Sequence, residues 1–354
     1  MENSHNLCVS WEGVTCSNVT GHVIMLDLGG LNLEGIISPE VSRLKNLEVL
    51  DLSLNNLVGP LPKEFGMMKK LKTLYLPCEI PEFIGNLSSL EVIWADIAIG
   101  GIPRSIGQLT NLRHVEISFG YIFGSIPEEL GNCSKLEEIY IHAHNIFEGF
   151  IALPPHLKVL SLRHLNGTAP IPKEIWNSTH LEELSLIDCS LTGSLPPQLG
   201  VQFRILDLSY NFLSGDIPSY SSNRQSLDLS YNMFCGNIPV SLGQMGGLTN
   251  LDLSNNRFTG NIPTSVEHLS NLSDLSLGSN LLTGAIPMNL RQLSNLDLHN
   301  NSLNATLPNF LTTTSIQELY LSRNRFNGHM PPISREVHLL NLAENMLTEE
   351  MPKS

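Results

Sequence analysis

The sequence predicts a repeat protein in which copies of one short unit stack to form a continuous parallel β-sheet. Two observations carry this prediction: a Leu-x-Leu pattern, with occasional Ile or Val, returns fifteen times along the 354 residues, and successive copies lie 19 to 24 residues apart. A repeat of this length is typical of solenoids, because one short unit cannot bury its own apolar face and needs its neighbours to cover it.

The unit is clearest at residues 248–263, which follow the pattern LxxLxLxxNxFxGxIP. The two leucines of the pair lie two apart, so on a strand they share one face while the residue between them points to the other. Gly-x-Ile-Pro then supplies a flexible turn, an inward apolar residue and a stop to any helix. The first residue of each pair, here called the marker, is Leu26, Leu50, Leu74, Ile93, Val115, Ile139, Leu160, Leu184, Leu206, Leu227, Leu251, Leu275, Leu296, Leu319 or Leu340.

Five residues after the marker, the regular units carry asparagine, and this position is here called the ladder position. An amide both donates and accepts hydrogen bonds, so we expect it to satisfy backbone groups where the chain leaves the strand. In the second half of the chain the ladder residues are Asn211, Asn232, Asn256, Asn280, Asn301, Asn324 and Asn345. In the first half they are Leu31, Asn55, Glu79, Ala98, Gly120, His144, Leu165 and Cys189. The third unit is also cut to 19 residues, and we expect it to lack most of its turn.

These motifs resemble the leucine-rich repeat, and the Gly-x-Ile-Pro ending is similar to that of the plant extracellular subclass. The resemblance covers nearly the whole chain and implies an α/β-type repeat protein, a right-handed leucine-rich-repeat solenoid with a parallel inner β-sheet. It also implies an N-terminal cap at residues 1–22, closed by a Cys8–Cys16 disulfide, before about fifteen repeats at residues 23–354. We expect both ends to be cut, or the gene model to be incomplete, because the N-terminal cap is only partial and the sequence shows no C-terminal cap, transmembrane segment or kinase segment.

A secretory route is indicated by Asn-x-Ser/Thr sequons together with the capping disulfide. We therefore expect an extracellular or cell-surface location, although the start of the chain does not have the pattern of a signal peptide. The other cysteines, Cys78, Cys133, Cys189 and Cys235, lie in different repeats and are interpreted as small buried apolar residues. The eight candidate glycosylation sites are Asn18, Asn86, Asn132, Asn166, Asn177, Asn271, Asn300 and Asn304.

The solvent face of the predicted sheet changes its composition between the third and eighth units. Later units place mostly Asp between the two leucines, whereas these units place aromatic, His and Arg side chains on the same face, which is the composition of an interface hot spot. We expect aromatic rings to supply buried area, and Glu116 and Arg163 to orient a ligand through charge-assisted hydrogen bonds. Packing of these side chains among themselves, and sequence drift, remain open alternatives. The candidate ligand-binding residues are Trp94, Glu116, Phe119, Tyr140, His142, Arg163, His164 and Asp188.

Other chemistry is disfavoured by the sequence. The net charge of −14, from 20 Lys and Arg against 34 Asp and Glu, lacks the basic footprint of nucleic-acid binding. No cofactor or metal is expected, because no phosphate loop, HExxH or GxSxG motif is present and His114, His142 and His164 lack completing ligands. Glu116 and Asp96 on an open sheet lack the desolvation that acid–base catalysis requires, so no enzyme activity is expected.

The family resemblance implies the ectodomain of a receptor kinase or receptor-like protein that binds a peptide, protein or microbial ligand in signalling or defence. Expected partners are that ligand and a co-receptor, with a monomer or ligand-induced dimer, and contact with the membrane only through a missing C-terminal segment. Several such receptors hold a peptide's carboxyl end with two arginines at alternate positions of one strand, a pair that this chain lacks. The alternative is a secreted inhibitor of a microbial cell-wall hydrolase, similar to polygalacturonase-inhibiting proteins. An ice-binding protein is a third alternative.

Overall fold

The computed structural model describes residue 8 and residues 11–96, 99–146, 152–197, 203–219 and 224–348. The chain divides into two compact units, Met1–Gly167 and Thr168–Ser354, and each contains a run of parallel strands that repeat every 19 to 24 residues. This run is here called the main sheet of the unit. Among the described residues, no helix has the length and apolar character that crossing a bilayer requires.

The main sheet of the first unit starts at an antiparallel hairpin and continues with parallel neighbours. Val14–Cys16 runs antiparallel to Val23–Asp27, and a disulfide joins Cys16 to Cys8. The later strands are Val49–Asp51, Thr73–Leu76, Val92–Asp96, Ile99–Gly100, His114–Gly124, Glu138–Ile146 and Val159–Leu165. A two-stranded outer sheet pairs Glu34–Ile36 with Asn56–Val58. The 3₁₀ helices of the first unit are Pro39–Arg43, Lys63–Met67, Glu82–Asn86, Arg104–Gln108 and Glu128–Asn132.

The main sheet of the second unit has eight short strands among the described residues. They are Glu183–Ile187, Ile205–Asp207, Ser226–Asp228, Asn250–Asp252, Asp274–Ser276, Asn295–Asp297, Glu318–Tyr320 and Leu339–Asn341. Outer strands are Thr192–Gly193, Phe212–Gly215, Met233–Phe234, Thr259–Asn261, Leu281–Gly284, Ser302–Leu303, Asn327–His329 and Met346–Thr348. The helical segments are the α-helix Lys173–Trp176 and the 3₁₀ helices Val240–Gln244, Thr264–His268 and Asn309–Thr312.

Leucines of the Leu-x-Leu pairs form the core on the buried face of each main sheet. Leu74 and Leu76 in the first unit, and Leu251 and Leu253 in the second, are almost completely buried. The 3₁₀ helices close the opposite side of the core, and they stack tightly: a Cβ atom added at Gly243 would lie 2.2 Å from the carbonyl oxygen of Ser265 in the next helix. Each repeat therefore obtains its buried area from its neighbours.

The ladder asparagines make the bonds that their amides predict. The Nδ2 of Asn256 donates to the carbonyl of Leu229 in the preceding repeat at 2.9 Å and to that of Leu253 at 3.2 Å. In return, the backbone N–H of Phe234 donates to its Oδ1 at 3.0 Å. One buried side chain thus satisfies backbone groups in two repeats. The same arrangement recurs at Asn55, Asn211, Asn232, Asn280, Asn301, Asn324 and Asn345.

In the repeats whose chain turns away after the strand, the residue just before the ladder position adopts a left-handed backbone conformation. Its φ is +52° at Leu54 and +53° at Asn255, a conformation that lets the chain leave the strand sharply. Other members of this turn row are His164, Asp188, Tyr210, Tyr231, Ser279, Asn300, Arg323 and Glu344.

Two repeats of the first unit do not turn at the ladder position. Their ladder residues are Gly120 and His144, and the strands His114–Gly124 and Glu138–Ile146 run on through them. Gly120 pairs with Ala143, and Tyr121 pairs with His144. Without an asparagine amide to satisfy the turn, the backbone groups here are satisfied by the neighbouring strand instead.

The shortened third repeat goes directly from its strand to its 3₁₀ helix. No strand is assigned in residues 77–81, all of which the structure describes, between Thr73–Leu76 and Glu82–Asn86. Ile80 and Ile84 are nevertheless buried, so the apolar column continues through the short repeat.

Candidate functional site

The register of the first unit's main sheet brings the central marker-pair positions into one row. Tyr75 lies beside Trp94, which lies beside Glu116 on the next strand. Glu116 in turn lies beside Tyr140, and Tyr140 beside Ser161. Because neighbouring parallel strands are about 4.8 Å apart, these side chains form a continuous row on the solvent face.

At one end of the row, two aromatic side chains are in contact. The rings of Tyr75 and Trp94 have centroids 5.5 Å apart and are inclined at 55°. Trp94 keeps 38% of its surface exposed. A large ring held by a neighbour but open to solvent can bury apolar area against a ligand without first losing much side-chain freedom.

The middle of the row is a cluster of acidic groups around a histidine. His114 lies between two carboxylates, with its Nδ1 3.0 Å from Glu138 Oε2 and its Nε2 3.6 Å from Glu116 Oε2. The Ser118 hydroxyl donates to Glu116 at 3.1 Å, which further fixes that carboxylate. The cluster has fixed hydrogen-bond acceptors facing solvent.

Tyr140 borders this cluster and shares its electrostatics. Its ring centroid is 5.5 Å from that of His114. Burial raises the pKa of the Tyr140 phenol, and the charges of Glu138 and Glu116 raise it further. The hydroxyl is therefore kept protonated and able to donate a hydrogen bond.

The other end of the site is basic. His142 and Arg163 lie side by side on neighbouring strands, and His142 Nε2 is 3.2 Å from the hydroxyl oxygen of Ser161. Burial lowers the pKa of His142, and the adjacent Arg163 charge lowers it further. The exposed guanidinium of Arg163 is thus the fixed positive group at this end, opposite the carboxylates of the middle.

The remaining predicted residues fall in different places. Phe119 lies in the strand His114–Gly124, but its side chain is outside the described residues. His164 occupies the left-handed turn position of its repeat, beside the Arg163 end. Asp188 belongs to the second unit, where it is exposed at the same turn position and its backbone N–H donates to Ser209.

Three further residues share this face and were not among the predicted site residues: Tyr75, His114 and Glu138. The residue immediately before a marker points to the same side as the residue immediately after it, because side chains on a strand alternate with a period of two. Applying that period to the position before Val115 and Ile139 would have identified His114 and Glu138 from the sequence.

The candidate glycosylation sites are compatible with attachment of a sugar. The asparagine of every one of the eight sequons is exposed. Of the remaining cysteines, Cys133 and Cys189 are buried and Cys78 and Cys235 half-buried. Burial raises the pKa of the Cys78 and Cys133 thiols to about 11, so both remain protonated at neutral pH.

Comparison with known families matches the repeat architecture over most of the chain. A family model described as a leucine-rich repeat region matches residues 22–210, which is more than half of the chain. A second, described as a leucine-rich repeat, matches residues 202–223, 225–245 and 247–269.

Curated relatives and solved structures include plant receptors. Receptor-like protein 6 of Arabidopsis thaliana is 30% identical over 216 residues, covering 53% of this chain and 21% of that protein. The chain spans about a fifth of the length of the curated relatives that it matches first. The ectodomain of the Arabidopsis receptor kinase HAESA, solved with the peptide hormone IDA, has a TM-score of 0.68 and 27% identity, covering 98% of this chain and 78% of that one.

The fold also occurs outside plants. A leucine-rich-repeat protein of Leptospira interrogans, LIC12759, has a TM-score of 0.74 and 27% identity, covering 92% of this chain and 91% of that chain. The architecture is therefore shared by proteins from unrelated organisms, and a function for this chain has to be argued from its own surface residues.

Proposed function

Since this chain belongs to the plant extracellular leucine-rich-repeat family, we propose that it is a ligand-recognition ectodomain that binds a peptide or protein on the main sheet of its first unit. The binding surface, here called the first-unit face, consists of Trp94, Glu116, Phe119, Tyr140, His142, Arg163 and His164, with Tyr75, His114 and Glu138 added by the fold. Its role is reception of an extracellular ligand in signalling or defence.

One observation carries this proposal: the same sheet positions hold different chemistry in the two units. In the second unit the central positions are mainly small and acidic, as at Asp207 and Asp252. In the first unit the corresponding positions include three aromatic residues, Tyr75, Trp94 and Tyr140, which offer aromatic area at low cost in side-chain entropy.

Charge separation along the first-unit face supports an oriented ligand. Glu116 and Glu138 lie at the middle of the face, and Arg163 lies at its end. A peptide with a basic group and a carboxylate at a matching distance would be held in one direction. The HAESA ectodomain, solved with a peptide hormone, gives the precedent for a peptide as the ligand.

An extracellular or cell-surface location follows from the same proposal. The Cys8–Cys16 disulfide and eight exposed sequon asparagines support passage through the secretory pathway. The residues of the first-unit face can be tested without a known natural ligand.

The experiment is a selection from a phage-displayed random-peptide library on the immobilised wild-type protein, followed by calorimetry with the selected peptide. Trp94→Ala and Tyr140→Ala should each weaken binding at least about tenfold, because each removes a central aromatic contact. Tyr320→Ala is the matched control, since Tyr320 has the same sheet position in the second unit.

The proposal fails if selected peptides bind Trp94→Ala and Tyr140→Ala as tightly as the wild type, or if Tyr320→Ala loses the same affinity. It also fails if the selection gives no peptide that binds in solution. Circular dichroism of each variant confirms that the repeats remain folded.

A further inference from the structure

An exposed pair of stacked tyrosines lies on the second unit. The rings of Tyr210 and Tyr231 are nearly parallel, with centroids 4.1 Å apart and an interplanar angle of 9°. Exposed fractions of 50% and 45% leave a large part of both side chains open to solvent. Both residues occupy the left-handed turn row, where the repeat elsewhere places residues such as Asn255 and Ser279.

A row of carboxylates accompanies the tyrosine pair. Asp207, Asp228 and Asp252 are register partners on three neighbouring strands and therefore share one face. Each already accepts a backbone N–H two residues later, at 2.8 to 3.0 Å, through its Oδ1 atom. These bonds fix the three carboxylates in position.

The two features lie in the same repeats, because Tyr210 and Tyr231 each follow by three residues an aspartate of the row, and these two aspartates, Asp207 and Asp228, are register partners. The first cause of the raised Tyr210 pKa is burial, and the hydrogen bond and charge of Tyr231 and the charges of Asp228 and Asp252 raise it further. Burial, with the charges of Asp207 and Asp252, raises the pKa of Asp228 to about 6. Three like charges this close repel one another, so a cation placed beside them would relieve the repulsion.

The geometry favours an organic cation over a metal ion. Across the part of the chain that the structure describes, no three His, Cys, Asp or Glu side chains are grouped closely enough to hold a metal. A guanidinium, by contrast, is planar: it stacks on an aromatic face and donates to a carboxylate at the same time. An ammonium donates to a carboxylate equally well, but it has no planar face to stack on the ring.

We propose that Tyr210, Tyr231, Asp207, Asp228 and Asp252, here called the Tyr–Asp surface, bind an arginine side chain presented by a basic segment of a partner protein. The guanidinium stacks on the exposed tyrosine pair and donates to the neighbouring carboxylates. This surface shares no residue with the first-unit face, so a negative result for one of the two proposals does not affect the other.

The test uses fluorescently labelled hexa-arginine as the probe, with anisotropy measured on the whole protein at physiological salt. Tyr210→Ala/Tyr231→Ala and Asp228→Asn should each weaken binding about tenfold, since each removes one of the two contacts. Tyr210→Phe/Tyr231→Phe keeps both ring faces and should retain most of the affinity. Hexalysine of equal charge should bind the wild type more weakly than hexa-arginine.

A matched control separates this surface from the general acidity of the chain. Asp297→Asn removes a carboxylate from the same sheet position, away from Tyr210 and Tyr231, and should leave hexa-arginine affinity unchanged. Equal loss on Asp297→Asn, equal binding of hexalysine, full affinity in the double alanine variant, or no binding of hexa-arginine would each overturn the proposal. Competition by Ca²⁺ in the wild type but not in Asp228→Asn would also overturn it, in favour of a metal site.

Discussion

The two units differ in how some of their strands end. In the second unit, a left-handed residue follows each three- to five-residue strand within three residues, and in most repeats an asparagine such as Asn256 or Asn280 satisfies the backbone groups that the turn releases. In the first unit, His114–Gly124 and Glu138–Ile146 continue through the ladder position and satisfy those groups by pairing with each other.

This difference determines how much sheet face each repeat can present. A three-residue strand such as Asn250–Asp252 has its two end residues on the solvent face and its central leucine in the core. The eleven residues of His114–Gly124 offer several more on the same face. Loss of the ladder asparagine thus coincides with a wider face, and four of the candidate binding residues, Glu116, Phe119, Tyr140 and His142, lie on these two extended strands.

The largest expected effect comes from removing a ladder asparagine. Asn256→Ala leaves the carbonyl of Leu229 and the N–H of Phe234 buried without their partner, and should lower the free energy of unfolding by about 3 kcal/mol. His144→Ala, at the same position of an extended strand, should lower it by less than about 1 kcal/mol, because the backbone there pairs with Tyr121. Urea denaturation measures both, and equal losses would show that the two units do not differ in this way.

A smaller effect is expected from the acidic row of the second unit. The pKa of Asp228 is raised to about 6 from its ordinary 3.8, so the folded state holds this proton more tightly than the unfolded chain does. Its ionised form therefore opposes folding, and stability from this group falls as the pH rises from about 4 to 6. Asp228→Asn should raise the free energy of unfolding by about 2 kcal/mol at pH 7.5 and have little effect near pH 4. A stabilisation of equal size at both pH values would contradict this.

The repeat could be predicted from the sequence because its signals are local and recur in register. Leu-x-Leu pairs fix the buried face, and Asn256 and its equivalents fix the turns, each through chemistry contained in one unit. The extended strands could not be predicted in the same way, since pairing of Gly120 with Ala143 depends on what the neighbouring repeat does. The solvent row was predicted at Trp94, Glu116 and Tyr140, whereas the position before each marker was left out of the predicted site.

The smallest expected effect tests the electrostatics at the basic end of the first-unit face. His142 lies beside Arg163, and its pKa is lowered first by burial and then by the Arg163 charge. Arg163→Gln should therefore raise the pKa of His142 toward its ordinary value without reaching it, because the burial remains. The measurement is an NMR titration of the His142 ring.

Lys158→Gln is the control for this titration, because it removes a positive charge from the same strand region while leaving Arg163 in place. Lys158 is paired with Glu137 at 2.6 Å, so its loss should leave the pKa of His142 unchanged. An unchanged pKa in Arg163→Gln would mean that the charge of Arg163 does not contribute to lowering the pKa of His142. In that case a ligand carboxylate bound at Arg163 would not alter the charge of the histidine beside it, and binding at this end of the first-unit face would be independent of pH near neutrality.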